Sequence, residues 1–350
     1  MNKHVLLAIF TLRGGGAERN VISLAKLLVD AGHHVDIVVF KNQIEHDIPP
    51  GITVHYFPYD KYRSIPRFMR GAWVAKRFDR WVKRFIGHPD LILSNLFPVD
   101  LVLSRSKLAN VFLSLHAALS DEVKTTLQAW DLQEVLKVYR SKPVVANSAA
   151  IIEDFARFTD SKFQATVVPM PLITEDVELK SRAFNPGVDR YLVNVGRFEQ
   201  SKHLDHLIAA YVKSGVSEKL VIVGSGKEEA AIRQQIKVSG RGKDIILTGF
   251  IANPYPFFRH AVGFVLCAEH ESQGLVILES ALLNTGFVAQ DCGLAPKALL
   301  ADHQRVPLGD EEALAAKLQE LVLSPANFSV PAIEFATSEN IVSAHLHLIK

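Results

Sequence analysis

Val5-Leu6-Leu7-Ala8-Ile9-Phe10, then Gly14-Gly15-Gly16, then Glu18 to Asp30, then Gly32 and Val35-Asp36-Ile37-Val38-Val39-Phe40: this opening stretch decides the fold. The two apolar runs read as buried strands. Between them Val21, Leu24, Ala25, Leu27 and Leu28 recur at helical spacing, and Gly32 stops the helix. A strand, a helix and a second buried strand make a right-handed unit of the doubly wound kind.

Further short apolar runs at Leu91-Ile92-Leu93, Val111 to Leu115 and Val144 to Asn147 extend a parallel sheet. A second series follows the turn-rich stretch Lys180 to Asp189, which holds Asn185-Pro186-Gly187. Its strands are expected at Tyr191 to Val195, Leu220 to Val223, Ile245 to Leu247, Gly263 to Leu266 and Phe287 to Ala289. Helices are expected near Leu204 to Lys213, Glu228 to Val238 and Leu275 to Leu283. The reading is therefore α/β, with two Rossmann-like doubly wound domains facing a central cleft. An N-terminal domain is expected over 1–180, a C-terminal domain over 181–332, and a terminal helix over 333–350. Ligands of such sheets bind beyond the carboxyl ends of the strands.

Bulk properties narrow the class. With 350 residues, 48% of them hydrophobic, the chain buries ample core. A net charge of only +2 speaks against a general nucleic-acid binder. No run approaches about 18 uncharged apolar residues, and no export signal follows Met1-Asn2-Lys3-His4, so a cytoplasmic chain without a membrane span is expected. Cys267 and Cys292 form no C-x-x-C pair and suggest neither zinc knuckle nor disulfide.

Three strand-end loops suit a diphosphate. After Val195 come Gly196-Arg197-Phe198-Glu199-Gln200-Ser201-Lys202, where a guanidinium fork and an ammonium stand five residues apart. Taken alone, this reads equally well as a solvated turn. Glu271-Ser272-Gln273-Gly274-Leu275-Val276-Ile277-Leu278-Glu279 places one carboxylate in a loop and one on an apolar helix, with N–H groups at Gly274 and Leu275 aimed at an anion. A dipole-favouring charge and one exposed helical acid is the plainer alternative. The Gly14-Gly15-Gly16 loop permits close backbone approach, but Arg19 replaces the last glycine of G-x-G-x-x-G, which disfavours nicotinamide binding.

Together these segments resemble glycosyltransferase family 4, retaining enzymes of the GT-B fold. The resemblance rests on Gly14-Gly15-Gly16-Ala17-Glu18-Arg19, Ser114-Leu115-His116, Asn147-Ser148, Val195-Gly196-Arg197 with Lys202, Val223-Gly224-Ser225-Gly226, Asn253-Pro254-Tyr255, and the pair Glu271 and Glu279. They run in the family's order through nearly the whole chain. The resemblance implies a nucleotide-sugar donor, a UDP-sugar by expectation, held mainly by the second domain, with the terminal helix packed back on the first. Arg197 and Lys202 would grip the diphosphate, Glu279 the ribose and Glu271 the transferred sugar. Gly15 and Gly16, Gly224 and Gly226, Phe250, Gly274 and Leu275 would line the donor site. His116 would meet the sugar; without the other matches it reads as a core histidine. The chain departs from the family at Ser272-Gln273, where Gly-Phe is common, at Asn284-Thr285-Gly286-Phe287, which lacks the usual proline, and at Cys292-Gly293-Leu294-Ala295-Pro296-Lys297.

No D-x-D pair occurs in the sequence, so metal-independent transfer without a cofactor is expected, with Arg197 and Lys202 carrying the neutralising charge. Lys61 to Arg84 interleaves nine basic residues, Arg63, Arg67 and Arg70 among them, with Tyr62, Ile65, Phe68, Met69, Trp73, Phe78 and Trp81, against Asp79 alone. A helix over Ile65 to Phe85 would suit an anionic membrane surface. A core-packed helix with a solvated basic face, or a nucleic-acid patch, are the alternatives. The resemblance favours a lipid-linked, lipopolysaccharide or capsule glycan acceptor at the inner face of a bacterial inner membrane. Rival functions are an inactive partner of another transferase and a sugar-nucleotide epimerase of the same fold. His203, Asp205 and His206 form a minor metal-like pattern, read as helix surface.

Overall fold

The computed structural model describes residues 2–13, 15–62, 65, 67–120, 132–158, 163–331 and 333–349, the side chains at 67–69 excepted. Gly14 and Arg63, and the side chains of Arg67, Phe68 and Met69, lie outside the described residues.

The chain divides into two compact units, residues 1–173 with 336–350, and residues 174–335. The first is built on seven parallel strands: β1 (His4–Ile9), β2 (His34–Val39), β3 (Ile52–Tyr56), β4 (Leu91–Asn95), β5 (Val111–Leu115), β6 (Val144–Ala146) and β7 (Ala165–Val167), in the order β3-β2-β1-β4-β5-β6-β7. The second has six: β8 (Tyr191–Val195), β9 (Lys219–Val223), β10 (Ile245–Gly249), β11 (Gly263–Leu266), β12 (Gly286–Gln290) and β13 (Arg305–Val306), ordered β10-β9-β8-β11-β12-β13. Every pairing is parallel. Both sheets therefore reverse direction once, between β1 and β4 and between β8 and β11. Those two switch points are where a doubly wound sheet opens a crevice for ligand.

All ten expected strands form, with ends shifted by a residue or two. Three short ones escape the sequence reading. β3 and β7 are edge strands with little burial, and β13 is two residues long, so none offers the continuous apolar run of an inner strand.

The helix Gly16–Asp30 shows why the opening stretch folds as it does. Val21, Leu24, Ala25, Leu27 and Leu28 are buried on the face that packs over Val5, Leu7, Ile9, Val35 and Ile37. Glu18 in the first turn favours the helix dipole. The helix Ser338–Leu346 joins the same core through Ile341 and Val342. The second unit's core gathers Leu204, Leu207, Ile208 and Tyr211 with Leu314, Leu318 and Leu321 around Ile222, Val265 and Val288.

The division between units falls at Ile173/Thr174, seven residues before the expected 180/181 boundary. The helix Thr174–Ser181 belongs to the second unit: Lys180 O accepts from Asn253 Nδ2 at 2.9 Å, and just beyond it Phe184 meets Phe257 edge-on at 5.8 Å. Asn185-Pro186-Gly187 therefore lies inside the second unit rather than at its edge.

Candidate active site

In the second unit the loops after β8, β9 and β10 are stitched together by backbone hydrogen bonds. Gly196 N donates to Val223 O at 3.0 Å, Phe198 N to Ser225 O at 2.9 Å, Glu228 N to Phe198 O at 3.0 Å and Gly224 N to Gly249 O at 2.9 Å. Phe198 is the anchor, fully buried under the loop that carries the two cations. The glycines are sterically required here. A Cβ on Gly226 would lie 2.3 Å from Phe198 O, and one on Gly224, whose φ is 147°, would lie 1.9 Å from Gly196 O. Phe250 follows this junction with 54% of its surface exposed, unusual for a phenyl ring and suited to stacking on a planar ligand.

Across the switch point, Glu269 N donates to Ser201 O at 2.7 Å, so the loop after β11 is tied to the loop after β8. This brings Lys202 Nζ to 3.5 Å from Glu271 Oε2, while Glu271 Oε1 accepts from Gly274 N at 3.1 Å. Gly274, at φ 72°, turns the chain into the helix Leu275–Leu282, and no side chain caps that helix. A Cβ on Gly274 would meet Ala295 and Leu299 inside 3 Å, so the backbone approach depends on glycine. The exposed helical acid of the plainer reading is corrected: Glu279 is 1% exposed, one turn into this helix on the same side as Leu275. A carboxylate buried so deeply costs free energy unless something polar meets it.

The two cations are not equivalent. Lys202 sits in the switch-point cluster with Glu271 and Gly274. Arg197 is 58% exposed on its side chain and pairs instead with Glu199 at 3.2 Å. The thiol of Cys292 is pushed up to about 12, first by burial and then by the Glu271 charge, which makes it an inert packing group. Cys267 is likewise buried and its thiol is raised well above its usual range. Ahead of Cys292, Gln290 at the end of β12 is wholly buried, and neither amide atom has a hydrogen-bond partner among the described residues. Its position at the close of an apolar run was a signal that the sequence reading passed over.

In the first unit the corresponding switch point is spanned by Asn95, the last residue of β4. Its Nδ2 donates to Ala8 O on β1 and to Leu93 O, both at 3.2 Å. Carbonyls only accept, so Oδ1 faces the other way, and it lies 2.9 Å from Nε2 of His116 at the end of β5. His116 therefore carries its proton on Nε2 and leaves Nδ1 as the ring's acceptor. Burial lowers the imidazole to about 4, so the ring is neutral at pH 7. The sequence reading named His116 but missed Asn95; polar Ser94-Asn95 directly after an apolar strand was the available sign. Leu96 next to it holds φ 73°, a strained value for leucine. Gly15 and Gly16 open the helix after β1 at the same crevice. The Glu18 carboxylate lies against Gly15, whereas Gly16 has open space where a Cβ would stand.

The basic segment forms a helix over Arg67–Phe85, preceded by a single 3-10 turn over Tyr59–Tyr62, so Ile65 is not its start. Val74, Ala75, Phe78 and Val82 are buried. Lys76, Arg77, Arg80, Lys83 and Arg84 are exposed. Arg77 lies over Trp73 at 4.5 Å and Arg84 over Phe85 at 5.3 Å, and both rings are exposed. Asp79, the helix's acid, is used up on Ser106 Oγ at 2.6 Å and Lys107 N at 2.8 Å. No helix among the described residues is long and apolar enough to cross a membrane.

Known proteins resemble this chain in sequence and architecture. The Glycosyltransferase Family 4 profile matches residues 14–175, and the profile for glycosyl transferases group 1 matches residues 189–324. An N-acetylgalactosamine-N,N'-diacetylbacillosaminyl-diphospho-undecaprenol 4-alpha-N-acetylgalactosaminyltransferase of Campylobacter jejuni is 21% identical over 85% of this chain and 83% of its own. A phosphatidyl-myo-inositol mannosyltransferase of Mycolicibacterium smegmatis is 24% identical over 87% of this chain and 80% of its own. Among solved structures, Anabaena HepE in complex with UDP and glucose superposes with a TM-score of 0.72 at 18% identity, over 99% of this chain and 96% of that one. The paired sheets, each with its single switch point, are the GT-B architecture. With both halves matched in order, the chain belongs to the family 4 glycosyltransferases and is a transferase of glycosyl groups.

Proposed function

We propose that the protein transfers a hexose or N-acetylhexosamine from a UDP-sugar to a lipid-linked, lipopolysaccharide or capsule glycan, with retention of configuration and without a metal. The observation that carries this reading is the Lys202, Glu271 and Gly274 cluster at the second unit's switch point, beside the uncapped start of the helix Leu275–Leu282. Breaking the bond between the anomeric carbon and the phosphate oxygen builds negative charge on the departing diphosphate. An ammonium, a guanidinium and backbone N–H groups at a helix start all oppose that charge. Lys202 is the fixed cation; Arg197 swings from Glu199 onto the diphosphate. Glu271 accepts sugar hydroxyls, Glu279 the ribose hydroxyls, and Phe250 stacks on the base. The neutral His116 hydrogen-bonds the transferred sugar. The acceptor oxygen bonds to the anomeric carbon as the phosphate leaves, and its proton passes to a phosphate oxygen on the same face.

Similar proteins support the donor and acceptor classes. HepE binds UDP and glucose, the Campylobacter jejuni enzyme acts on a diphospho-undecaprenol glycan, and the mycobacterial one on phosphatidyl-myo-inositol. Acceptors of this kind sit in membranes, and the helix Arg67–Phe85, with its acid turned away and its cations stacked on exposed rings, suits an anionic lipid surface. The protein would then work as a cytoplasmic enzyme peripheral on the inner membrane.

The test is release of UDP from UDP-sugars when extracted bacterial glycolipids are added. Release that depends on acceptor and disappears in Arg197→Ala and Lys202→Ala supports the reading. UDP-sugar turnover without acceptor would instead identify an epimerase. No turnover under any condition would favour an inactive partner subunit, a reading to which the Ser272-Gln273 departure lends its only support.

A further inference from the structure

Asp36 lies on β2 with 3% of its surface exposed, at the end of the first sheet away from Asn95 and His116. The strand register explains what surrounds it. His4 pairs with His34 across β1 and β2, and His55 of β3 pairs with Val38. Side chains alternate along a strand, so His4, His34, Asp36 and His55 all project from one face, opposite the helix Gly16–Asp30. His4 Nε2 stands 2.6 Å from Asp36 Oδ2, and His55 Nε2 stands 2.8 Å from Oδ1. Those two hydrogen bonds compensate the buried carboxylate.

They leave His34 unexplained. Its Nε2 is 3.8 Å from Asp36 Oδ2, too far for a hydrogen bond, and its ring stacks on His4 with centroids 4.2 Å apart. Two imidazole nitrogens aimed at one oxygen of a buried carboxylate are the donor set of a borderline-soft divalent cation. We propose that His4 Nε2, His34 Nε2 and Asp36 Oδ2 bind a zinc-class metal ion, with His55 holding Oδ1 to orient the carboxylate.

The spacing fits. Tetrahedral bonds of about 2.0–2.1 Å put ligand atoms about 3.3 Å apart. The three ligand atoms here all lie within 4.8 Å of one another. Opening the His4 contact and closing the His34 one each takes less than about 1 Å of movement. His34 has the freedom to move, since its side chain is 55% exposed. The site would tie the starts of β1 and β2 and leave the donor chemistry at the other ends of the strands untouched. The His203, Asp205 and His206 group is the weaker candidate, because its carboxylate is 64% exposed.

The experiment takes the full chain stripped by chelator and titrates it with Co²⁺, read by visible ligand-field absorption, and with Zn²⁺, read by calorimetry. One ion bound per chain, with a four-coordinate Co²⁺ spectrum and a raised unfolding temperature, is expected. Asp36→Asn risks the fold, so the informative variant is His34→Ala, whose own side chain is half exposed. It should weaken binding at least about tenfold with an unchanged circular dichroism spectrum. His206→Ala should bind as the wild type does. No stoichiometric uptake, wild-type affinity in His34→Ala, or loss of uptake in His206→Ala would each overturn the proposal.

Discussion

At the scale of single residues, the proposed donor site turns on one ammonium. Lys202 pairs with Glu271 at 3.5 Å, whereas Arg197 is more than half exposed and pairs with Glu199. Lys202→Ala should therefore cost about 100- to 1,000-fold in kcat, the usual loss for a preorganised charge at a leaving group. Thermal unfolding should barely change, because the side chain is partly exposed; kinetics of UDP release and a thermal melt of the purified variant check the two halves of the claim. His116 makes a different prediction. Its folded pKa of about 4 lies below the ordinary 6.5, so between those values the unfolded chain binds more protons than the native one. Stability from this group is complete above about pH 6.5 and is lost as pH falls towards 4, on the order of 3 kcal/mol in all. His46 and His345 are lowered by burial in the same sense. Melts from pH 7 down to pH 5 should fall more steeply in the wild type than in His116→Asn. Equal slopes would mean the ring is not held neutral.

At the scale of elements, two glycines separate structure from ligand contact. Gly226→Ala would press a Cβ within 2.3 Å of Phe198 O, against a backbone pinned by the Phe198 and Glu228 hydrogen bonds. We expect more than about 2 kcal/mol of destabilisation in denaturant melts, with weakened donor binding as a consequence. Gly16→Ala meets nothing within 4 Å and starts a helix, so the fold should be unchanged or gain a few tenths of a kcal/mol. Activity lost from a stable Gly16→Ala protein would assign that glycine to close approach of a ligand; full activity would remove it from the site. Much of this was legible in advance, for a physical reason. Inner strands of a parallel sheet are apolar on both faces, and loops at their carboxyl ends announce themselves with Gly, Arg, Lys and Glu. What stayed hidden depends on tertiary contact: the burial of Glu279, the three-way anchoring of Asn95, and the edge strand Ile52–Tyr56 with its half-exposed pattern.

At the scale of the whole molecule, the second unit is one continuous stretch while the first is completed by residues 336–350. Sequence periodicity sees neighbours along the chain, so it detected a terminal helix, while the expectation that this helix packs back on the first domain came from the family resemblance alone. The structure puts Ile341, Val342 and Leu348 at 1%, 8% and 6% exposure, in the core that also holds Val21, Leu24 and Leu28 of the helix Gly16–Asp30. Burying such a side chain contributes about 1.5–3 kcal/mol, and three of them approach the 5–15 kcal/mol by which a typical domain is stable. A chain ending at residue 335 should consequently lose hydrogen-exchange protection across β1 to β7 while β8 to β13 keep theirs. Calorimetry should show the first unit's transition shifted well below the second's. If the truncated protein instead melts and exchanges like the full chain, those three side chains contribute little, and the first unit's stability resides in its sheet alone.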